Sequence, residues 1–307
     1  MFEKFKEFKS LDDFQEFFPT EQSCIDYLEQ HLWGGKTPIS PYDPTSKVYK
    51  CKDNRYRCKN TGKYFNIRNG TIFENTKLKL KKWFLAFYVF SSDKRGMSSY
   101  HLARCVGVTQ KTAWFMDHRM RESNDPRFNV KLKNTVETDE KFVGGKNKNR
   151  HWNKKVPHSQ GRSWKDKIVT WVAIQRGGNL IAEVVPNNKK KTLEPLVKKN
   201  VEFGSEVNTD EWIAYKDLGK WYNHQWVNHG AKQYAKGKVH TNTIEGSWSR
   251  LSDIINTYRH ISRKHAQRYI NEFTFRYNTR KYSDRERFDL MLSLVVGKRI
   301  TYQQLIN

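Results

Sequence analysis

From residue 135 onward the chain switches repeatedly between strand and helix periodicity, and this alternation constrains the fold more than any other feature. Residues 136–143 (VETDEKFV) read as a strand closed by Gly144-Gly145. Residues 167–175 (KIVTWVAIQ) and 180–185 (LIAEVV) read as two further strands, and the Gly177-Gly178-Asn179 turn between them predicts a hairpin. A helix at 192–201, a strand at 206–209, a helix at 212–218 and a strand at 224–227 follow. A long helical stretch from about 242 to 281, broken near 259–262, closes the series. Three strands in succession and then alternating units predict an α/β core around a mixed sheet.

The first 134 residues are patterned differently. An amphipathic start carries Phe2, Phe5, Phe8 and Leu11 at three-residue spacing, and a helix is expected over 19–33, opening at Thr20. The segment GGKTPISPYDPTSK is a loop by its glycines and prolines. Residues 48–73 read as short strands and tight turns with basic and aromatic residues interleaved, followed by a helix at about 78–91. Next, SSYHLARCVGVTQKTAWFMDHRMRE predicts a helix, a turn at Gly107 and a second helix capped by Thr109. This spacing matches a helix-turn-helix, in which Ala113, Phe115 and Met116 face inward and Gln110, Lys111, Trp114 and His118 face out toward DNA. An ordinary helical hairpin inside a larger core is the alternative.

Charge separates function classes. Lys and Arg number 57 against 32 Asp and Glu, a formal net charge of +25, which points to nucleic acid or another anionic partner. The longest apolar run, 83–90, is far short of the roughly 18 residues that cross a bilayer. The N-terminus lacks the apolar stretch and cleavage site of a signal peptide. A cytoplasmic, nucleoid-associated protein without membrane contact is expected. Cys24, Cys51, Cys58 and Cys105 form no C-x-x-C pair, which fits a reduced chain better than a disulfide scaffold.

Two strands end in the same tripeptide, Thr138-Asp139-Glu140 and Thr209-Asp210-Glu211. Strand ends are where an open α/β sheet places ligands. Carboxylates delivered together repel each other, and divalent cations relieve that repulsion. The competing reading makes Asp210 a helix cap. Glu137 and Asp139 share one face of their strand, so periodicity does not choose between them. A third carboxylate, Glu245, stands three residues after Asn242, which by itself reads as a capping box.

In series, the segments GTIFENTKLKLKKWFLAFY, GVTQKTAWFMDHRMR, VETDEKFVGGK, NTDEWIAYKDL, HTNTIEGSWSRL and HISRKHAQRYINEFTFRYNTR resemble the bacterial DDE insertion-sequence transposases that pair an N-terminal zinc ribbon with an integrase-like catalytic domain, relatives of the Merlin elements. The resemblance implies an RNase H-like fold, with N-terminal helices and ribbon-like module at 1–76, a helix-turn-helix region at 77–130, a catalytic domain at 131–285 and a tail at 286–307. It selects Asp139, Asp210 and Glu245 as catalytic, metal-holding carboxylates. Thirty-four residues separate the last two, a gap close to that of the superfamily. It implies two Mg²⁺ (or Mn²⁺) ions, Asn242 as an auxiliary ligand, and nicking of element ends followed by strand transfer. The implied partners are double-stranded DNA, as terminal inverted repeats and target, and at least a second copy of the chain.

Two departures stand out. The ribbon's cysteine pairs would fall at 40–44, which has none, and at 58–61, which keeps only Cys58, so no zinc is expected and Tyr49, Tyr56, Tyr64 and Phe65 are expected to hold the module. Many relatives carry a Lys seven residues after the catalytic Glu; here that residue is Ser252, so either Arg250 replaces it or the contact is lost. Further DNA candidates are the basic loop 146–165, with Lys146, Lys148 and Arg150, and the helix 263–280, with Arg268. Tyr269, Phe273 and Tyr277 on that helix have core spacing. A decayed or domesticated DNA-binding protein, or a nuclease that cuts without joining, remains the alternative to an active transposase.

Overall fold

The computed structural model describes Phe8 and residues 10–124, 131–159, 161–231, 233 and 235–307. The chain divides into two compact units, residues 1–124 with 281–307, and residues 125–280. Of the amphipathic start, Phe8 and Leu11 lie inside the described residues and Phe2 and Phe5 outside them.

In the first unit, α1 (Leu11–Phe17) is closed by a capping box between Ser10 and Asp13, and α2 (Glu21–Trp33) by one between Thr20 and Ser23. Gly34 ends α2 in the left-handed conformation. Strands β1 (Val48–Lys50), β2 (Tyr56–Cys58) and β3 (Tyr64–Phe65) form an antiparallel sheet in that order. Val48, Tyr56, Cys58 and Phe65 make its small core against Trp33. Tyr49 and Tyr64, expected inside, are exposed. Register explains it: Arg57 pairs with both, so the three side chains share the solvent face, and the Arg57 guanidinium lies 5.9 Å from the Tyr64 ring centroid.

At the positions where cysteine pairs would fall, the buried Ser40 Oγ accepts from the amides of Tyr42 (3.2 Å) and Asp43 (3.3 Å). Ser46 Oγ accepts from the Asn60 amide at 3.0 Å, and Asp43 accepts from Asn60 Nδ2 at 2.8 Å. Hydrogen bonds thus tie these two loops together.

Helix α3 (Leu80–Ser92) buries Trp83, Phe84, Phe87 and Phe90. Then come α4 (Ser99–Val106), Gly107 at φ +66°, and α5 (Gln110–Ser123), whose amide at Thr112 donates to Thr109 Oγ1. Ala103, Ala113 and Met116 are buried, as the pattern predicted. His118, expected to face out, is fully buried, because the stretch of α5 from Met116 to Arg121 is enclosed on every side rather than on one face.

The second unit is built on a five-stranded sheet of order β6-β5-β4-β7-β8. Strands β4 (Thr135–Val143), β5 (Ile168–Gln175) and β6 (Leu180–Val185) run antiparallel; β7 (Glu206–Thr209) and β8 (Asn223–Trp226) run parallel to β4. Helix α6 (Lys190–Asn200) and a 3₁₀ helix (Ile213–Lys220) pack on the face that presents Val136, Trp171 and Ala173. A two-residue hairpin, β9 (Ala235–Lys236) and β10 (Val239–His240), precedes α7 (Asn242–Tyr258). Helices α7 and α8 (Ala266–Asn278) cover the opposite face, packing Ile244, Trp248, Ile270 and Phe273 on Val172 and Ile174. The break between them lies where the sequence predicted. Tyr269 and Tyr277 are buried in this core, as their spacing indicated.

The chain then returns to the first unit as α9 (Asp284–Ser293) and α10 (Tyr302–Ile306). The stretch expected to be a tail is therefore packed structure. Phe288, Met291 and Leu292 are fully buried, and the Phe288 ring meets those of Phe8, Phe14 and Phe84 at 5.4–5.9 Å. No helix among the described residues is long and apolar enough to cross a membrane.

Candidate active site

Asp139 and Asp210 meet because β4 and β7 are parallel neighbours in a particular register. Thr135 pairs with Glu206 and Glu137 with Asn208, and the same offset carried forward sets one Thr-Asp-Glu tripeptide level with the other. Asp139, Glu140 and Asp210, with Arg162, Asn188 and Trp212, line a cleft of about 320 Å³.

The two aspartates are held differently. Asp139 Oδ2 accepts from the Trp248 indole of α7 at 3.0 Å, and Oδ1 from the Glu140 amide at 2.7 Å. Burial, together with the charge of Asp210, raises its pKa to about 6 despite these bonds. Asp210 Oδ1 accepts from the Trp212 amide at 3.0 Å, a turn ahead of the 3₁₀ helix rather than a cap on it, since the helix has Trp212 as its N-cap and no side-chain cap; burial raises this carboxyl as well. Glu140, which sequence reasoning passed over, is also pushed well up, by burial first and then by both aspartates. Tyr215 donates to it from the core beneath. Its signal was its place in the tripeptide.

Glu137 shares the strand face with Asp139 and is fully buried, yet it serves packing. Its carboxylate accepts from Arg176 Nε (2.6 Å), Thr243 Oγ1 (2.8 Å) and the Ile244 amide (2.9 Å). It therefore caps α7, and the expected Asn242–Glu245 box does not form; Asn242 is exposed and its side chain makes no cap. Glu245 lies outside the cleft lining, with Oε1 accepting from Thr241 Oγ1 at 3.2 Å and 3.9 Å from His229 Nε2. It stands one turn from Trp248 on α7. His229 stands between it and the second tripeptide, its amide donating to Glu211 at 2.9 Å. His229 and Trp248 are site residues that the sequence gave no means of singling out.

Two desolvated carboxylates in one cleft fit a hard cation such as Mg²⁺, which takes few protein ligands and fills its remaining positions with water or phosphate oxygens. Among the described residues no three His, Cys, Asp or Glu side chains converge tightly enough to enclose a metal by themselves.

This cleft sits inside a recognisable segment: residues 131–278 match the ISXO2-like transposase domain. That match and the relatives below support an insertion-sequence transposase. It is 28% identical over 233 residues to an uncharacterized protein of the transposable element ISH50 in Halobacterium salinarum, covering 72% of this chain and 78% of that one. It is 25% identical over 118 residues to an uncharacterized transposase-like protein of Haemophilus influenzae, covering 38% of this chain and 94% of that one. Both asparates of the cleft fall within the matched transposase domain, as does Glu245.

The basic residues picked out for DNA are placed as follows. Lys146 and Lys148 are exposed. Arg150 is half-buried and donates to the Asp166 carbonyl at 2.9 Å. Arg250 is exposed, its guanidinium 5.9 Å from the Tyr277 ring centroid, and Arg268 meets His265 Nδ1 at 3.1 Å. On α5, Lys111 is exposed with its ammonium 5.0 Å from the Tyr302 ring centroid; Gln110 donates to Ser99 Oγ, and Trp114 packs on His118. The Ser252 hydroxyl accepts from the ammonium of Lys141 on β4 at 2.9 Å.

Proposed function

We propose that this chain is a DNA transposase that cuts the ends of its element and joins them to target DNA, with phosphodiester chemistry at the Asp139–Asp210 cleft. The observation that carries the reading is the register of β4 on β7, which levels the two tripeptides at one cleft. The sheet supports an RNase H-like architecture: three antiparallel strands, then two parallel strands added beside the first. The α4–turn–α5 hairpin supports a helix-turn-helix, and residues 48–73 with 107–121 are the proposed readers of the terminal repeats.

Asp139 and Asp210 would hold Mg²⁺ or Mn²⁺, with Glu245 completing the set for a second ion. Such ions supply activation of the attacking oxygen and stabilisation of the leaving one. The chain's own groups do the positioning. Trp248 fixes one Asp139 oxygen, and the Trp212 amide fixes one of Asp210. Arg162 brings a cation to the cleft wall, where a phosphate would otherwise meet only carboxylates. Synapsis of two element ends calls for at least a dimer.

One observation favours the second reading, a DNA-binding protein without chemistry: Glu245 stands outside the cleft, bonded to Thr241. Cleavage of a plasmid carrying the element's own ends separates the two. In Mg²⁺, Asp210→Asn should lower cleavage by several orders of magnitude and leave DNA binding intact. Glu245→Gln should do the same if Glu245 joins the ions. Near wild-type nicking by both folded variants would end the catalytic assignment.

A further inference from the structure

A second concave site lies farther along β4. It is an open groove of about 670 Å³ between Gly144-Gly145, the segment 165–168 and the C-terminal end of α7. Phe142 is the only residue shared with the lining of the aspartate cleft. Lys141, Arg150, Lys165, Arg259 and Arg263 line it against a single acid, Asp166. That acid is buried and paired with Arg150 at 3.9 Å, so its charge is offset within the protein.

The remaining cations divide into builders and free heads. Arg263 Nη2 donates to the carbonyls of Trp164, Lys165 and Lys167 at 2.9–3.0 Å and fixes one wall. Lys141 Nζ is held by Ser252 Oγ (2.9 Å) and the Trp248 carbonyl (3.1 Å), which leaves one of its three protons for a ligand. Arg259 and Lys165 are exposed, and their side chains meet no acceptor among the described residues. Arg259 also sits at φ +59°, ψ −45°, a region that a non-glycine residue occupies at a cost. Strain of this kind persists where the surroundings hold it, and here it ends α7 with a guanidinium in the groove. Concentrated like charge in a concave surface focuses potential on an anionic ligand. The groove is open, and its five cations stand among apolar residues such as Ile255 and Ile261; an open cationic surface suits a repeating polyanion better than a small molecule.

We propose that this groove seats the sugar–phosphate backbone of duplex DNA, independently of sequence, as a site separate from the aspartate cleft. Its place in transposition rests on the reading above; its binding does not, because no metal or carboxylate takes part. The test is duplex binding by the full chain in EDTA across a salt series, using a labelled duplex of mixed sequence. The double variant Lys165→Ala/Arg259→Gly should bind several-fold more weakly, and its slope of log affinity against log salt should be shallower by roughly 0.9 per phosphate contact, about 1.8 for the pair. Lys191→Ala/Lys216→Ala, which removes two exposed charges elsewhere on the same unit, should barely change the slope. Equal losses in the two pairs would overturn the groove and leave only diffuse charge.

Glycine suits the backbone at 259, so the melting temperature should hold or rise. If it falls, Lys165→Ala alone decides, since that change touches no backbone strain: an unchanged slope would then overturn the proposal. Repeating the series with an element terminus and with a scrambled duplex distinguishes the source. Equal loss on both supports a groove for any duplex, as target DNA requires, and loss confined to the terminus would overturn the sequence-independent reading. Asp210→Asn should leave the groove's salt slope in place, so failure of the catalytic reading and failure of the groove give different results.

Discussion

Glu137 and Asp139 stand two residues apart on one face of β4, the first fully buried and the second half-buried at the cleft. The region around Glu137 is saturated: a guanidinium, a hydroxyl and a helix-terminal amide meet its two oxygens. The region around Asp139 is undersupplied, with one indole and one adjacent amide against a second aspartate. A carboxylate whose donors balance its charge builds the fold. One that is left with a repulsive neighbour stores an affinity for cations, and the difference lies in the donors rather than in the residue type.

The largest effect expected from breaking this contrast is catalytic. Asp139→Asn should abolish end cleavage in Mg²⁺ by several orders of magnitude while the protein stays folded and DNA-bound, measured by nicking and by gel shift. Retained cleavage would place the chemistry elsewhere.

Glu137→Gln should do the reverse. Removing one partner of a buried pair leaves Arg176 uncompensated, a loss of about 3–5 kcal/mol for a buried ion pair and somewhat less here because Arg176 is partly exposed. The urea midpoint reads it, and the fraction that remains folded should still cut. A midpoint near wild type would contradict the anchoring role.

A smaller and opposite effect is expected for Asp210→Asn in metal-free protein. The raised pKa of Asp139 means that the folded state holds its proton more tightly than the unfolded chain. That stability is present below the ordinary carboxylate range and is lost as pH rises through about 6. At neutral pH the variant should therefore melt higher, by about 2–4 °C per kcal/mol recovered in a protein of this size. Its melting temperature should also depend less on pH. Mg²⁺ should raise the melting temperature of wild type more than that of the variant. A variant that melts lower at neutral pH would show that Asp210 serves mainly to hold the turn at Trp212.

The smallest effect concerns the first unit, where hydrogen bonds of Ser40, Asp43, Ser46 and Asn60 hold the two loops around the lone Cys58. One thiolate cannot replace four, so purified protein should carry no stoichiometric zinc and a strong chelator should leave its melting temperature unchanged. About one zinc per chain by elemental analysis would refute this.

Sequence alone determined the elements of the sheet, because alternation and turn residues act over a few positions: β4 through β8, the Gly177-Gly178 hairpin and the break after α7 were all legible. It also determined the helix–turn–helix order around Gly107, where one residue must take positive φ. Tertiary structure decided what periodicity cannot carry. The parallel register of β7 on β4 levels residues far apart in the chain, and nothing local encodes that offset. Capping of α7 by Glu137 displaced the local box at Asn242, because a buried carboxylate backed by Arg176 satisfies the helix amides from across the sheet. Residues 286–307 read as a tail because the resemblance to the transposases ends near residue 285, although half of their positions are apolar. They pack because Phe288 finds an aromatic cluster supplied by the other end of the chain, a long-range encounter invisible to any local window.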